Sequence, residues 1–273
     1  MSIDRARTAA LTALTALLAT ACASIVPPTS PAELSQGRPG YVIGYLQPAD
    51  LPDSQALLSP PPAAGSPAFA ADEDAYRSTR RLRDTPRWAL AAQDADLNFP
   101  KATEVFSCAL GMAVSEAATP HLNMLLRRVR ADASRGNDKA KQHYKRRRPY
   151  LAHGEASCTP REQLKDDSYP SGHASIGWAW ALTLAEIAPH RADAVLARGL
   201  AFGQSRVVCG VHWKSDVDAG RVVGAAVVSR LHADPVFAAQ LSAARKEIEA
   251  ARSAGGKSPL DCAAQAQALA SGP

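Results

Sequence analysis

The chain has 273 residues, of which 46% are hydrophobic and 21% are charged, and its formal net charge at neutral pH is +5. These proportions are ordinary for a globular protein and sufficient for a sizeable core. The positive charge is concentrated in residues 77–87 and 139–148, but aromatic residues make up only 5% of the chain. A nucleic-acid module usually interleaves aromatic side chains with its basic residues, so we exclude nucleic acid as a specific partner.

The first 23 residues have the pattern of an export signal. Arg5 and Arg7 form a basic start, an apolar stretch follows at 9–19, and small residues come after it. The apolar stretch is too short for a membrane-spanning helix, which needs about 20 residues.

Two cleavages of this signal compete. Cleavage after Ala23 would release a soluble periplasmic protein. Lipoprotein processing would instead leave Cys22 as a lipid-bearing first residue. Ala19 stands three residues before Cys22, where a lipoprotein signal is expected to have leucine. We therefore predict the periplasmic form, with the lipid anchor as the alternative.

Residues 24–67 are predicted to form an extended, Pro-rich lead-in. Pro, Ser and Gly are frequent in residues 24–41, which is typical of a flexible segment. Three consecutive prolines in residues 59–67 make that part stiff. We interpret it as a linker or a strap across the surface.

Residues 68–254 predict an all-α fold, a single-domain bundle of helices. The segments are long, rich in Ala and Leu, and free of the alternating β-branched runs that mark strands. Prolines mark their starts and stops. The predicted helices span residues 72–83, 87–97, 102–113, 119–133, 138–147, 173–187, 191–208, 215–232 and 235–254. Residues 255–273 are left as a C-terminal tail.

No segment after the leader has the character of a membrane span. The longest uncharged helical run, residues 174–185, is too short, and Asp218 and Arg221 interrupt the next candidate. We predict no transmembrane segment in the mature chain.

Four cysteines follow the leader, at Cys108, Cys158, Cys209 and Cys262. An even count in an exported chain favours disulfides, and four cysteines allow three pairings. We predict Cys158–Cys209 and Cys108–Cys262, of which the second would pin the tail. Zinc is the alternative, but no two of these cysteines have the short spacing of zinc ligands. We predict no metal.

Lys141 and Arg148 lie in a basic block that ends at Pro149. Six residues separate the two cations, which corresponds to two helical turns. We therefore predict that they share one face of a helix and that Pro149 ends it. Residues 145–147 are predicted to be solvated, with only Arg148 pointing inward.

Ser171, Gly172 and His173 lead directly into an uncharged, helix-like run at 174–182. Ser171 or Gly172 would therefore stand at a helix N-terminus, where free N–H groups and the positive end of the helix dipole attract an anion. The sequence thus predicts an anion site with a histidine beside it.

Arg206, His212 and Asp216 form the third block. His212 and Asp216 are four residues apart, so a turn of helix could bring the carboxylate onto the imidazole. A carboxylate on one ring nitrogen fixes the tautomer and makes the other nitrogen a better nucleophile or base. The guanidinium of Arg206 can hold an oxyanion. Alone, such a pair is more often a surface pair than a catalytic one.

Together the three blocks resemble the signature of the type 2 phosphatidic acid phosphatase superfamily, K-x6-RP, then PSGH, then SR-x5-H-x3-D. Within that superfamily the chain is similar to the bacterial class A nonspecific acid phosphatases from about residue 46 to residue 249. It departs from them at Ala174, where Thr is common, and after residue 249. Every signature position is filled, by Lys141, Arg148, Pro149, Pro170, Ser171, Gly172, His173, Ser205, Arg206, His212 and Asp216.

The resemblance implies an all-α exported acid phosphatase that hydrolyses a broad range of small phosphate monoesters without a cofactor. By resemblance His212 attacks phosphorus, Asp216 orients it, and His173 protonates the leaving alkoxide and later activates water. A homo-oligomer is also implied, and phosphotransfer to alcohols is a side activity that this interpretation allows. The phosphate would be bound by Lys141, Arg148, Arg206 and the N–H groups around Ser171 and Gly172.

Two alternatives stay open. A vanadium haloperoxidase carries the same signature because vanadate mimics the five-coordinate transition state, although such chains are generally much longer. An exported, non-catalytic anion-binding lipoprotein would keep the pocket. Anion binding alone needs none of His173, His212 and Asp216, so that alternative does not explain why all three are present.

Overall fold

The protein is described by a computed structural model over residues 25–34, 36–38, 41–159 and 167–272. The predicted export signal at 1–23, with its cleavage after Ala23 or before Cys22, lies outside the described residues and stays a prediction.

Helices make up most of the described chain, and its strands are confined to one short antiparallel pair. Strands β1 (Gln36–Arg38) and β2 (Tyr41–Val42) pair Gln36 with Val42 and Arg38 with Tyr41. The all-α prediction is confirmed. The helices are α1 (Ser54–Leu57), α2 (Pro67–Arg80), α3 (Pro86–Gln93), α4 (Lys101–Glu104), α5 (Ser107–Leu110), α6 (Pro120–Arg135), α7 (Asp138–Tyr144), α8 (Pro149–His153), α9 (Gly172–Ile187), α10 (Ala192–Val208), α11 (Lys214–Leu231), α12 (Pro235–Ser253) and α13 (Cys262–Ala270).

Helix α9 lies at the centre of the bundle and packs against α6, α10, α11 and α12. Apart from His173 near its start and Glu186 near its end, it carries no ionisable side chain, as expected of a helix buried on most of its faces. Trp180 is fully buried, and its indole N–H donates to Leu126 O of α6 over 2.8 Å. The core is therefore built around the helix that follows the predicted anion site.

Two glycines bring the middle of α11 close to the start of α9. A Cβ at Gly220 would lie 2.4 Å from Ser171 O, and one at Gly224 would lie 2.4 Å from Ser175 O. Since real Cβ atoms do not approach backbone oxygens so closely, only glycine allows this contact. It places the middle of α11 beside the amino-terminal turn of α9.

Helix starts follow local capping chemistry. Ser66 accepts a hydrogen bond from Phe69 N ahead of Pro67, so α2 begins five residues before its predicted start. Asp234 caps α12 in the same way, ahead of Pro235, at the predicted position.

Two predicted helices end or break differently. The helix predicted over 102–113 is divided into α4 and α5, because Val105 O accepts a hydrogen bond from Arg198 of α10 and the chain turns there. Helix α7 ends at Tyr144, with Lys145 in the left-handed region at φ 43°. The prediction that Pro149 ends that helix is wrong, because Pro149 instead occupies the first turn of α8.

Both predicted disulfides are present, Cys108–Cys262 and Cys158–Cys209. The first joins α5 to α13, a helix within the segment for which we predicted only a tail. Helix α13 packs against α3. The segment boundaries at residues 23, 67 and 254 stay predictions.

The segment ahead of α2 is bound to the helical body along its length. Tyr45 N and Leu46 N donate to the buried carboxylate of Asp132 in α6, over 2.7 and 3.3 Å. Ser54 Oγ accepts from Ala140 N of α7 over 3.1 Å. These contacts tie residues 45–54 to the helices that lead into the basic block.

No single helix among the described residues has the length and hydropathy needed to cross a membrane. Helices α11 and α12 together have both, but a bend of 99° separates them.

Candidate active site

The three blocks meet around His212, which lies in the short connection between α10 and α11. The N–H of His212 donates to Arg206 O at the end of α10 over 3.3 Å. Arg148 donates from Nη1 to Val211 O and to His212 Nε2, each over 3.0 Å. The N–H of Ser171, at the start of α9, donates to Asp216 O over 2.9 Å. The structure thus brings the predicted residues of all three blocks together.

The contacts of His212 determine its tautomer. A guanidinium can only donate, so Nε2 accepts from Arg148 and carries a lone pair. The proton is then on Nδ1, which lies 3.4 Å from Asp216 Oδ2 and 3.4 Å from Ser168 Oγ. The imidazole is therefore held with its nucleophilic nitrogen toward the cations and its N–H toward the carboxylate.

Asp216 occupies the first turn of α11, while His212 precedes the helix. Asp216 Oδ2 accepts from Trp213 N over 2.9 Å and from the Ser168 hydroxyl. Negative charge at a helix N-terminus is favoured by the helix dipole. The predicted contact of His212 with Asp216 exists, although the two side chains do not share one helical face.

Lys141, Arg148 and Arg206 surround the imidazole with positive charge. The prediction that Lys141 and Arg148 share a helical face is wrong, because Lys141 is in α7 and Arg148 is the N-cap residue of α8. They converge through Asp167, whose carbonyl accepts from Lys141 Nζ and whose carboxylate accepts from Arg148 Nη2 over 2.7 Å. Arg206 is 1% exposed. Burial and the nearby Arg148 charge lower the pKa of Lys141 to about 8, so it remains cationic in acid and at neutral pH.

The pKa of both candidate catalytic imidazoles is lowered, which favours their neutral form. Burial, then the charges of Arg148, Lys141 and Arg206, hold the pKa of His212 well below its usual value. Burial and the charge of Arg206 do the same to the pKa of His173. His173 Nε2 lies 3.1 Å from Ala95 O. Since a carbonyl can only accept, Nε2 carries the proton and Nδ1 is left for proton exchange.

The start of α9 has the predicted form of an anion site, with one difference. Ser171 is the N-cap residue, and its Oγ accepts from Ala174 N over 3.3 Å. Its own N–H is engaged by Asp216 O, so a phosphate would meet the Ser171 hydroxyl rather than its amide. The first intrahelical hydrogen bond comes from Ser175 N, and within the described chain no acceptor engages the N–H of Gly172 or His173.

One buried group of charged side chains lies behind His212, and we call it the Asp216 cluster: Asp72, Arg146, Ser215 and Asp216. Arg146 donates to Asp216 Oδ1 over 2.6 Å, to Asp72 Oδ2 over 2.8 Å and to Ser215 Oγ over 2.8 Å. Its side chain is 8% exposed. The prediction that Arg146 is solvated is wrong, because its counter-charges come from α2 and α11.

A second group, the Asp94 cluster, adjoins Arg206 and His173: Arg87, Asp94, Arg198 and Ser205. Asp94 accepts from both Nη atoms of Arg198 and from Ser205 Oγ, the latter over 2.6 Å. Ser205 also accepts from Arg87 Nη1 over 3.0 Å. The cluster neighbours Arg206 through Ser205 and His173 through the Ala95 carbonyl. Ser205, a signature residue, therefore supports the site from behind.

Several of these residues were missed by the sequence analysis. Ser168 lies two residues before Pro170, the first residue of the PSGH block, and this position was a usable signal. No local sequence signal indicates a role for Asp72 or Arg146, because their partners are about seventy residues away in the chain.

The arrangement of these groups is chemically suited to a tetrahedral anion. Three cations and the N–H groups at the start of α9 can neutralise the charge of a phosphate monoester. Within the residues that the structure describes, no three His, Cys, Asp or Glu side chains are grouped as metal ligands.

Comparison with known proteins gives consistent matches. A sequence profile of the PAP2 superfamily matches residues 105–237, a range that contains all three blocks. The non-specific acid phosphatase of Providencia stuartii is 44% identical over 208 residues, 75% of this chain and 84% of that protein. The acid phosphatase of Zymomonas mobilis is 42% identical over 203 residues, covering 73% and 77%. The non-specific acid phosphatase of Salmonella typhi is 39% identical over 208 residues, covering 75% and 83%.

Proposed function

This chain belongs to the PAP2 superfamily and, within it, to the bacterial acid phosphatases, and from that premise we propose that it hydrolyses phosphate monoesters through a phosphohistidine at His212. The predicted resemblance and the phosphatase class are confirmed by the family. The breadth of substrates rests on the relatives that are named non-specific. The roles of individual residues rest on geometry.

The observation that carries the proposal is the contact of Arg148 Nη1 with His212 Nε2 over 3.0 Å. It places a lone pair of the imidazole at the group that would bind a phosphate oxygen. A bound phosphate would take over the Arg148 donor and lie in front of Nε2, with Lys141 and Arg206 sharing its charge.

In the first half-reaction, His212 Nε2 forms a bond to phosphorus as the bond to the ester oxygen breaks. The imidazole becomes cationic, and the carboxylate of Asp216 stabilises it through Nδ1. His173 gives its proton to the departing alkoxide, which leaves as an alcohol. The two negative charges of the bound phosphate offset Arg206 and raise the pKa of His173, so that it can carry that proton.

In the second half-reaction, water attacks phosphorus, His173 takes a proton from it, and the bond from phosphorus to His212 breaks. Phosphate leaves and the neutral imidazole is restored. Because the first step needs a protonated His173, an acidic optimum is expected.

We also place the protein in the periplasm. The basic and apolar stretches of residues 1–23 support export, and two disulfides suit an oxidising compartment. Osmotic shock should release a protein beginning at Ser24; a lipidated Cys22 would support anchoring instead. Homo-oligomer formation stays a prediction.

The intermediate can be trapped directly. The protein is mixed with p-nitrophenyl phosphate that carries radioactive phosphorus and is denatured within milliseconds in detergent. The detergent solution is alkaline because the bond from phosphorus to histidine is labile in acid. Label should stay on the protein in alkali, be lost in acid, and map to His212. His212→Ala should take no label, while His190→Ala, at an exposed histidine, should label as the native protein does. Label on a serine or a carboxylate would overturn the proposal, and absence of phosphate release would favour the alternatives.

A further inference from the structure

The side chain of Arg146 is placed unlike those of its basic neighbours. It leaves the connection between α7 and α8 and turns inward, where one guanidinium nitrogen contacts Asp216 Oδ1 and Ser215 Oγ and the other contacts Asp72 Oδ2. The adjacent Arg147 is exposed and, among the residues that the structure describes, its side chain donates to Leu151 O alone, over 3.1 Å. A planar guanidinium with two occupied nitrogens defines the orientation of the groups it joins.

The two oxygens of Asp216 have separate partners. Oδ1 is held by Arg146, whereas Oδ2 accepts from Trp213 N and the Ser168 hydroxyl and faces His212 Nδ1. With Oδ1 held, the carboxylate cannot rotate about its bond to the chain without breaking the contact with Arg146. The orientation of Oδ2 toward the imidazole therefore depends on Arg146.

Arg146 is also the cation shared by two buried carboxylates. Asp72 is 2% exposed and Asp216 is 0% exposed. Two ionised carboxylates buried near one another repel, and removal of their common counter-ion leaves an uncompensated charge. Among the described residues, the other titratable groups that interact with Asp216, Arg146 or His212 are Lys141, Arg148, Tyr169, His173 and Arg206. Asp167 pairs with Arg148.

We propose that Arg146 is a positioning residue for the nucleophile. It holds the Asp216 carboxylate in the orientation that faces His212, and Asp72 holds Arg146. This inference rests on the proposed function, since it concerns the support of His212 as the attacking group. Arg146 itself contacts no part of the expected phosphate.

The test compares Arg146→Gln, Arg146→Lys and the matched control Arg147→Gln in steady-state assays with p-nitrophenyl phosphate. Arg146→Gln should lower kcat by about 10- to 100-fold, as is usual when the support of a reactive group is removed, with KM nearly unchanged. Arg146→Lys keeps the positive charge but lacks the two guanidinium nitrogens that contact Asp216 and Asp72, so its kcat should lie between those of Arg146→Gln and the native protein. Arg147→Gln should behave as the native protein does.

The pH profile supplies a readout that a merely structural role would not move. Loss of the cation makes the electrostatic potential at His212 more negative, which favours protonated His212, so Arg146→Gln should shift the acid limb of kcat/KM to higher pH. Asp72→Asn removes the carboxylate that competes with Asp216 for Arg146, so the cluster becomes less negative. The acid limb of kcat/KM should then shift to lower pH. Opposite shifts support the inference.

Each remaining outcome is decisive. If Arg146→Gln is not soluble, Arg146→Lys and Asp72→Asn carry the test. Shifts in one direction, or a kcat of Arg146→Gln within twofold of the control, would overturn the positioning role. If the native protein itself releases no phosphate or forms no phosphohistidine, the proposed function fails, and this result is distinct from the failure of the variants.

Discussion

The Asp216 cluster and the Asp94 cluster are both buried, yet their charge is opposite. The Asp216 cluster has two carboxylates and one guanidinium, whereas the Asp94 cluster has one carboxylate and two guanidiniums. The first contacts His212, and the second adjoins Arg206 and the carbonyl that holds His173. Charge in this site is therefore unevenly distributed, with a negative excess behind His212 and a positive excess beside Arg206.

An excess of negative charge behind His212 stabilises the cationic imidazole that a phosphohistidine contains. An excess of positive charge next to Arg206 strengthens the field that attracts an anion. In the proposed mechanism, the negative cluster thus lies behind the imidazole that becomes cationic, and the positive cluster lies beside the arginine that would bind phosphate. The following predictions test this contrast, beginning with the largest effect.

Asp216→Asn should have the largest effect on turnover. An amide cannot accept the Nδ1 proton as a carboxylate does, so we expect a kcat loss on the order of 10⁴-fold, by analogy with the orienting aspartate of a catalytic triad. Steady-state kinetics and circular dichroism check this prediction. A folded variant with a kcat within tenfold of native would show that the negative cluster does not support the nucleophile.

Asp94→Asn should act mainly on stability. Arg198 loses its carboxylate partner and Arg87 loses a nearby counter-charge, and breaking a buried pair costs about 3–5 kcal/mol. Urea denaturation followed by tryptophan fluorescence measures the loss. Asp193→Asn, at an exposed position of α10, is the control and should change stability by less than about 0.5 kcal/mol. If Asp94→Asn lowers kcat as strongly as Asp216→Asn, the two clusters do not differ in role.

His173→Ala should slow esters with poor leaving groups by about 100-fold more than p-nitrophenyl phosphate, because only the former need a proton on the departing oxygen. The measurement compares kcat/KM for an alkyl phosphate and for p-nitrophenyl phosphate. Equal losses on both substrates would remove His173 from the role of acid.

The smallest expected effect is on how the free energy of unfolding depends on pH. His173 and His212 have a lower pKa in the folded protein than in the unfolded chain, so the unfolded chain binds more protons below about pH 6.5. The stability they contribute is complete above that pH and is lost as the pH falls, by at most about 1.4 kcal/mol per pH unit for each histidine.

Replacement of one histidine isolates this effect. Burial raises the pKa of Asp132 to about 6, which contributes with opposite sign, but that contribution is common to both proteins and cancels. His173→Gln should therefore show a flatter decline than the native protein between pH 6.5 and pH 5 in urea titrations. Identical slopes would mean that His173 is not held neutral.

The course of the main helices could be predicted because their signals are local. Proline and capping residues define the start of α12, and the uncharged run after Ser171 defines α9. The break between α4 and α5 could not be predicted, because it depends on Arg198, which lies in another helix. Helix α13 is short and packs against α3, so its sequence alone does not indicate it.

The same distinction applies to the site. The contact of His212 with Asp216 follows from their spacing. Arg146 stands in a run of four cations, which resembles a solvated surface. Its carboxylate partners reach it from α2 and α11, and no pattern near Arg146 in the sequence encodes them.

The segment that precedes α2 limits how this protein can be shortened. Asp132 binds the backbone of Tyr45 and Leu46, and Ser54 accepts from the residue just before Lys141. A leader can thus be exchanged, or an affinity tag attached, ahead of residue 25 without disturbing these contacts. Truncation beyond Leu46 would instead leave the buried carboxylate of Asp132 without these two N–H donors, and the free energy of unfolding would fall.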